Sequence, residues 1–174
     1  MIDTRRPSSA PQQASILAPA PDALVVTFQL GHQHYGLPIA MAREIVRLPA
    51  LTVLAGAPPA LCGLLNLRGQ QLPVLDGRVL VGEPALYDLN SQIVIAGRGQ
   101  PELGLLVDRV HDVYAVADDS IVPIGRPDAA PFLTHVFTIA DGSVLLFNLP
   151  ALLALAHKRA KPRARNAAQP RAPR

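Results

Sequence analysis

Short apolar runs separated by turn residues fill the chain from residue 23 to about 157, a pattern of short strands more than of long helices. Leu24–Leu30 alternates and stops at Gly31, and Tyr35–Ile39 returns, so Gly31–His34 is read as a hairpin loop. Ala40–Val46 carries good helix formers and is expected to make one or two helical turns. Leu51–Leu54 reads as a short strand before the breaker Gly56-Ala57-Pro58-Pro59. Gly63–Arg68 and Gln71–Asp76 read as strands joined by a turn at Gly69-Gln70. Gln92–Ala96 and Leu103–Val107 form a hairpin across Gly97-Arg98-Gly99-Gln100, and Thr134–Ile139 with Ser143–Asn148 forms another, turning at Asp141-Gly142. Pro150–His157 closes the pattern as an amphipathic helix.

A weak internal repeat runs through these elements. Gly36-Leu37-Pro38-Ile39 with Glu44-Ile45 aligns with Gly104-Leu105-Leu106-Val107 with Asp112-Val113, and Gly63–Asp76 aligns with His135–Asn148. Two blocks matching in the same order imply two related halves that meet between about residues 78 and 92.

Charge changes the picture of the ends. The net charge of +3 arises from 16 basic and 13 acidic residues, but seven of the basic ones fall in residues 157–174, which hold no acid. The rest therefore carries 16 − 7 = 9 basic against 13 acidic side chains, a net of −4. A mildly acidic body argues against a nucleic-acid-binding core. Residues 1–22 are rich in Ala, Pro, Gln and Ser, and residues 158–174 in Arg, Ala and Pro; both are expected to be disordered arms. The single Cys62 excludes an internal disulfide, and the absence of an 18-residue apolar run argues against membrane insertion, so a cytoplasmic protein is expected.

Candidate chemistry is sparse. Asn66 and Arg68 fall on one face of their strand, with Leu65 and Leu67 on the other, while the matching positions of the second half are Thr138 and Ala140. They form either a functional pair or a solvated strand end. Gly69 permits the following turn, and Gly36 and Gly104 read as positions where a side chain would crowd the backbone. Phe28 and Tyr35 read as core, and Cys62 as a small packed residue. His32 and His34 share a hairpin face but have no third ligand nearby, so no metal is assigned. Asp108 and Asp112, one helical turn apart, have no nucleophile or base beside them and read as a solvated helix face. Gly97-Arg98-Gly99 lacks the Lys-Ser/Thr of a phosphate loop, and no nucleophile elbow occurs.

The blocks Phe28 with Leu30-Gly31, Tyr35-Gly36-Leu37-Pro38-Ile39, Glu44-Ile45, Asn66-Leu67-Arg68-Gly69, Pro73-Val74-Leu75-Asp76 and Val107-Asp108-Arg109-Val110 together resemble the CheW family of chemotaxis coupling proteins, over nearly all of residues 24–156. The resemblance implies an all-β fold of two intertwined five-stranded SH3-like barrels sharing a core, with short helices and a C-terminal helix. It implies no catalysis and no cofactor. It implies an adaptor that bridges the tip of a methyl-accepting chemotaxis receptor to the regulatory domain of a CheA-like histidine kinase, serving flagellar chemotaxis or a type IV pilus, twitching or surface-sensing pathway. Its receptor-facing groove would involve Glu44, Ile45, Asn66 and Arg68, with Ala42 and Leu64 as apolar neighbours. Gly36, Gly63, Gly69, Pro73, Asp76 and Gly104 would be frame positions. The sequence departs from the family at Gly77-Arg78, where Leu usually follows the aspartate, at His135, where glycine is common, and at Asn148-Leu149-Pro150, in place of a more acidic ending. The alternative is a module of the same fold whose basic tail binds nucleic acid or anionic membrane.

Overall fold

The computed structural model describes residues 23–125 and 130–160. The first expected arm, residues 1–22, lies outside the described residues, as does the tail beyond residue 160. Eleven strands and two α-helices follow in order: β1 (Ala23–Leu30), β2 (Gln33–Pro38), β3 (Ala42–Arg47), β4 (Leu61–Leu67), β5 (Gln70–Asp76), α1 (Gly77–Val81), β6 (Gln92–Ala96), β7 (Leu103–Val107), β8 (Arg109–Val116), β9 (Val122–Pro123), β10 (Leu133–Ile139), β11 (Gly142–Phe147) and α2 (Leu149–Ala160).

The strands form two open sheets, one of six in the order β8-β1-β2-β11-β10-β9 and one of five in the order β3-β6-β7-β5-β4. This corrects the expectation of an all-β pair of closed five-stranded SH3-like barrels. The fold is mixed α/β, and neither sheet closes. In the five-stranded sheet the proline-containing connection of residues 48–60 carries the chain away after β3, and β4 returns at the opposite edge.

The internal repeat becomes an exchange of strands. Replacing β8, β1, β2, β11 and β10 by their repeat equivalents β3, β6, β7, β5 and β4 converts one sheet order into the other. Each sheet is joined across the halves by one parallel pairing, β11 with β2 and β5 with β7, and by one antiparallel pairing, β8 with β1 and β3 with β6. The registers correspond: Leu146 lies opposite Gly36, and Val74 opposite Gly104. A Cβ on Gly36 would stand 2.6 Å from Val25 Cγ1, and one on Gly104 would stand 2.7 Å from Ile93 Cγ2. Both glycines therefore admit the close packing of a neighbouring strand's β-branched side chain.

The central strands of each sheet are buried on both faces, while the edge strands β3, β8 and β9 stay partly exposed. The two inner faces enclose the central core with α2, which contributes Leu149, Leu152, Leu153 and Ala156 at helical spacing. Phe147 sits against Phe28, Tyr35 and Phe132 at centroid distances of 5.9, 5.4 and 5.7 Å. The other faces cover smaller clusters, one around Leu65, Leu72, Val74, Ile93 and Ile95 and one around Val25, Phe137, Val144 and Leu146. The Asn148 side chain accepts from the Ala151 N–H at 3.0 Å and caps α2.

Several local expectations change. Residues 42–47 form β3 and not a helix; only Ile39–Met41 makes a 3-10 turn. Half-buried and exposed residues alternate along β3, and pairing with β6 overrides the helix propensity of Ala, Arg and Glu. The strand expected at Leu51–Leu54 shrinks to one bridge between Thr52 and Leu64. Asp112 lies on extended β8, with Asp108 just before it, so the two do not share a helix face. The β10–β11 hairpin turns at Ala140-Asp141, one residue early.

The departure at Gly77-Arg78 has a structural use. The Asp76 carboxylate accepts from the Val79 N–H at 3.1 Å and starts α1. Arg78 on that helix forms a two-pronged ion pair with Asp108, whose second prong is 2.7 Å, and Asp108 also accepts from the Gly31 N–H at 2.8 Å. One guanidinium thus ties α1, the β1–β2 turn and the β7–β8 junction together, with both side chains mostly covered. Asp76 itself is only 1% exposed and receives the Tyr87 hydroxyl, which fastens the connecting segment of residues 82–91. Tyr87 also approaches Cys62 Sγ at 3.9 Å, and burial with the nearby Asp76 charge pushes the Cys62 thiol up to about 11.

Two outcomes follow. Arg78→Met strands Asp108 without its cation and lowers unfolding free energy by about 2 kcal/mol, read as a lower urea midpoint at unchanged slope. Cys62 alkylates roughly 100-fold more slowly than free cysteine at about pH 8, because little of it is thiolate, and the rate climbs toward about pH 11.

Candidate functional site

The β4–β5 hairpin closes through Arg68-Gly69, since Leu67 pairs with Gln70. Both turn residues have positive φ, 51° at Arg68 and 89° at Gly69, as a two-residue hairpin turn that follows the sheet twist demands. Glycine adopts this freely. Arginine does not, and Arg68 is the only non-glycine residue with positive φ among the described residues. Holding it there costs about 1 kcal/mol. The Asn66 side-chain oxygen accepts from the Gly69 N–H at 2.8 Å and braces the turn. Asn66 and Arg68 were expected to project side by side from a strand face with the turn at Gly69-Gln70. Instead the strand ends at Leu67, Asn66 folds back onto the turn, and Arg68 occupies its first position.

Arg68 reaches across the open side of the five-stranded sheet. Its Nη2 lies 3.0 Å from Glu44 Oε2 on β3, the opposite edge strand. The Arg68 side chain is 80% exposed and that of Glu44 28%, so water screens the pair and its worth to stability is small. Its geometric effect is larger: the gap between β3 and β4 is spanned by a charged pair, and the remaining guanidinium donors face outward.

Of the six residues marked for binding, Glu44, Asn66 and Arg68 are joined through this turn and ion pair. Ile45 is an exposed apolar residue next along β3, and Ala42 is half-buried at the start of that strand, opposite Ala96. Leu64 is half-buried on β4, and its backbone exchanges both hydrogen bonds with Thr52 at 2.9 Å. The frame positions Gly63, Pro73 and Asp76 lie on β4 and β5. In the second half Asp112 on β8 is exposed, and Thr138 and Ala140 bring no cation to the corresponding hairpin. The six-stranded sheet therefore has no such ion pair among the described residues. His34 packs edge-on against His111 at 5.4 Å, and no metal-ligand cluster occurs among the described residues. No described helix is long and apolar enough to cross a membrane.

The model of the CheW-like domain matches residues 24–157. The chain belongs to the CheW family. It is 30% identical over 132 residues to the chemotaxis protein CheW of Klebsiella aerogenes, covering 72% of this chain and 78% of that one. It is 29% identical over 156 residues to the protein FrzA of Myxococcus xanthus, covering 87% of this chain and 98% of the relative. Among solved structures it resembles the scaffolding protein TtCheW from Thermoanaerobacter tengcongensis with a TM-score of 0.68 at 29% identity, over 74% of this chain and 90% of the other.

In this CheW-family chain the ion pair and the backbone at residue 68 pull in different directions. Arg68→Gly removes the pair but relaxes the turn, so the urea midpoint holds or rises. Arg68→Val keeps a β-branched side chain at positive φ and loses about 1–2 kcal/mol.

Proposed function

We propose that this chain is a non-catalytic scaffold that couples methyl-accepting chemoreceptors to a CheA-like histidine kinase in chemotaxis signalling, and that Arg68, held by Asn66 and Glu44, is a central receptor-facing residue. The observation that carries the site is Arg68 itself. A residue kept at positive φ, mostly in water, and tied to an acid on the opposite sheet edge contributes little to the fold. What it offers is an exposed fork of donors on a hairpin turn, the kind of planar charge that recurs in interface hot spots. A helical hairpin from a receptor tip would lay carboxylates or carbonyls on the fork. The family match over residues 24–157 supports the scaffold role, and the departures at His135 and Asn148 lie on the other half.

Arg68→Glu reverses the charge and places two carboxylates at the seam. The expected result is at least about a tenfold loss of receptor-tip binding and of the ternary complex with kinase, with thermal unfolding little changed. Undiminished capture of receptor tips and kinase by Arg68→Glu would remove Arg68 from the interface.

A further inference from the structure

Two histidines meet on the outer face of the six-stranded sheet although their strands are not neighbours. His34 on β2 alternates with Tyr35 and Leu37 of the central core, so it stands on the face away from it. It lies opposite Gln29 of β1, and Gln29 lies opposite Arg109 of β8. Strands two apart in a sheet are separated by about 9.6 Å. A bulge closes that gap. The β1–β8 register shifts between Val26 and Phe28, so that His111-Asp112 stand against Thr27 alone. The buried Thr27 hydroxyl donates to the Asp112 carbonyl at 2.9 Å and fixes the irregularity. Bulges re-aim side chains, and the His111 ring comes to 5.4 Å from that of His34, at 66° to it.

The other half shows that the fold uses the bulge without the imidazoles. β3 has the same irregularity against β6, between Ala42 and Glu44. With Gly36 aligned to Gly104 and Glu44 to Asp112, Arg43 takes the place of His111 and Glu102 that of His34. Arg43 bonds there to the carbonyls of Gly97 and Ala40. The histidine pair is therefore this chain's own use of a shared frame.

Hydrogen bonds prepare His111 as a ligand. The Gln29 amide nitrogen donates to the Gly31 carbonyl at 2.8 Å, which turns the amide oxygen toward His111 Nε2 at 3.4 Å. That oxygen only accepts, so in the neutral ring Nε2 carries the proton and Nδ1 keeps its lone pair. A carbonyl holding the far nitrogen is the usual support of a metal-bound imidazole. The ring nitrogens of His34 have no hydrogen-bond partner among the described residues. An ion about 2.0–2.1 Å from a ring nitrogen stands about 3.2 Å from the ring centre, so two imidazoles on one tetrahedral ion have centres about 5.2 Å apart. The 90° angle of a tetragonal ion would bring them to about 4.5 Å. The observed 5.4 Å matches the tetrahedral case. His111 is exposed and His34 half-buried, so water can complete the coordination. Among the described residues no group of three His, Cys, Asp or Glu side chains forms, and Arg109 flanks Gln29. Cations that depend on carboxylates, such as Ca²⁺ and Mg²⁺, find no ligand set here.

We propose that His34 and His111 form an open two-imidazole site for Zn(II), which ties the edge strand β8 to β2 across β1. The test titrates ZnCl2 by calorimetry into the tag-free, metal-stripped full chain and into His34→Gln, His111→Gln and His32→Gln. The parent is expected to bind one zinc ion in the micromolar range, and His34→Gln and His111→Gln each to bind at least about tenfold more weakly. His32→Gln, in the turn beside Gln33, stays within about twofold. About 100 µM ZnCl2 raises the unfolding temperature of the parent but not of the two weakened variants, and MgCl2 moves none of them. Because His111 is exposed on an edge strand, His111→Gln keeps the metal-free urea midpoint of the parent and reports on the site even where His34→Gln disturbs folding. Saturation of the parent only in the millimolar range, or binding undiminished in both variants, would overturn the site. A loss in His32→Gln with none in His111→Gln would also overturn it and place the ion on the β1–β2 hairpin.

Discussion

The constraint on which the rest of the molecule depends is strand pairing between the halves, through the parallel ladders β2 with β11 and β5 with β7 and the antiparallel ladders β1 with β8 and β3 with β6. Neither half supplies enough neighbours to bury both faces of its own strands. By exchanging hairpins, each sheet gains a central strand from the other half, and the inner faces meet over one shared core around Phe147. The glycines at 36 and 104 are the local condition for this, because a side chain at either would occupy the space used by a neighbouring strand. The Arg78–Asp108 pair then locks the same exchange from outside, bridging α1, the β1–β2 turn and the β7–β8 junction.

The exchange leaves the sheets open at their edges, and the proposed site lies across one of those openings. A closed sheet would have satisfied β3 and β4 with each other. Here a side-chain bridge stands in the gap, and one partner of that bridge is an arginine in a conformation better suited to glycine. Stability alone does not explain that choice. An exposed guanidinium held by Glu44 on a turn braced by Asn66 is what the proposed binding role would use.

Much of the frame was legible. Period-two alternation and turn dipeptides located most hairpins, and the aligned blocks exposed the two halves. What failed was of two kinds. β3 has a helix-forming composition and becomes a strand only because β6 lies beside it, a tertiary fact absent from local sequence. Barrel closure depends on whether two distant edges bond, and the connection of residues 48–60 gives no sign of it. In the site, Arg68 and Glu44 were singled out and do meet. The role of Asn66 was misplaced by one residue of turn register, although Asn-x-x-Gly followed by a returning strand held the signal for a side chain bracing a hairpin. The clamp at Arg78 was visible only as a departure, Gly77-Arg78, whose partner Asp108 lies too far along the chain to be guessed.

The exchanged strands also govern the order in which the chain becomes a protein as it leaves the ribosome. β2 waits for β11, so the first hairpin emerges long before its parallel neighbour and must keep an apolar face covered by other means. The five-stranded sheet has all its strands as soon as β7 is made, whereas the six-stranded sheet is incomplete until Phe147 has been added. A nascent chain halted between those points holds one assembled sheet and one exposed β1–β2 ribbon. That makes the interval between the completion of β7 and of β11 the one in which this scaffold is most open to aggregation and most dependent on chaperones.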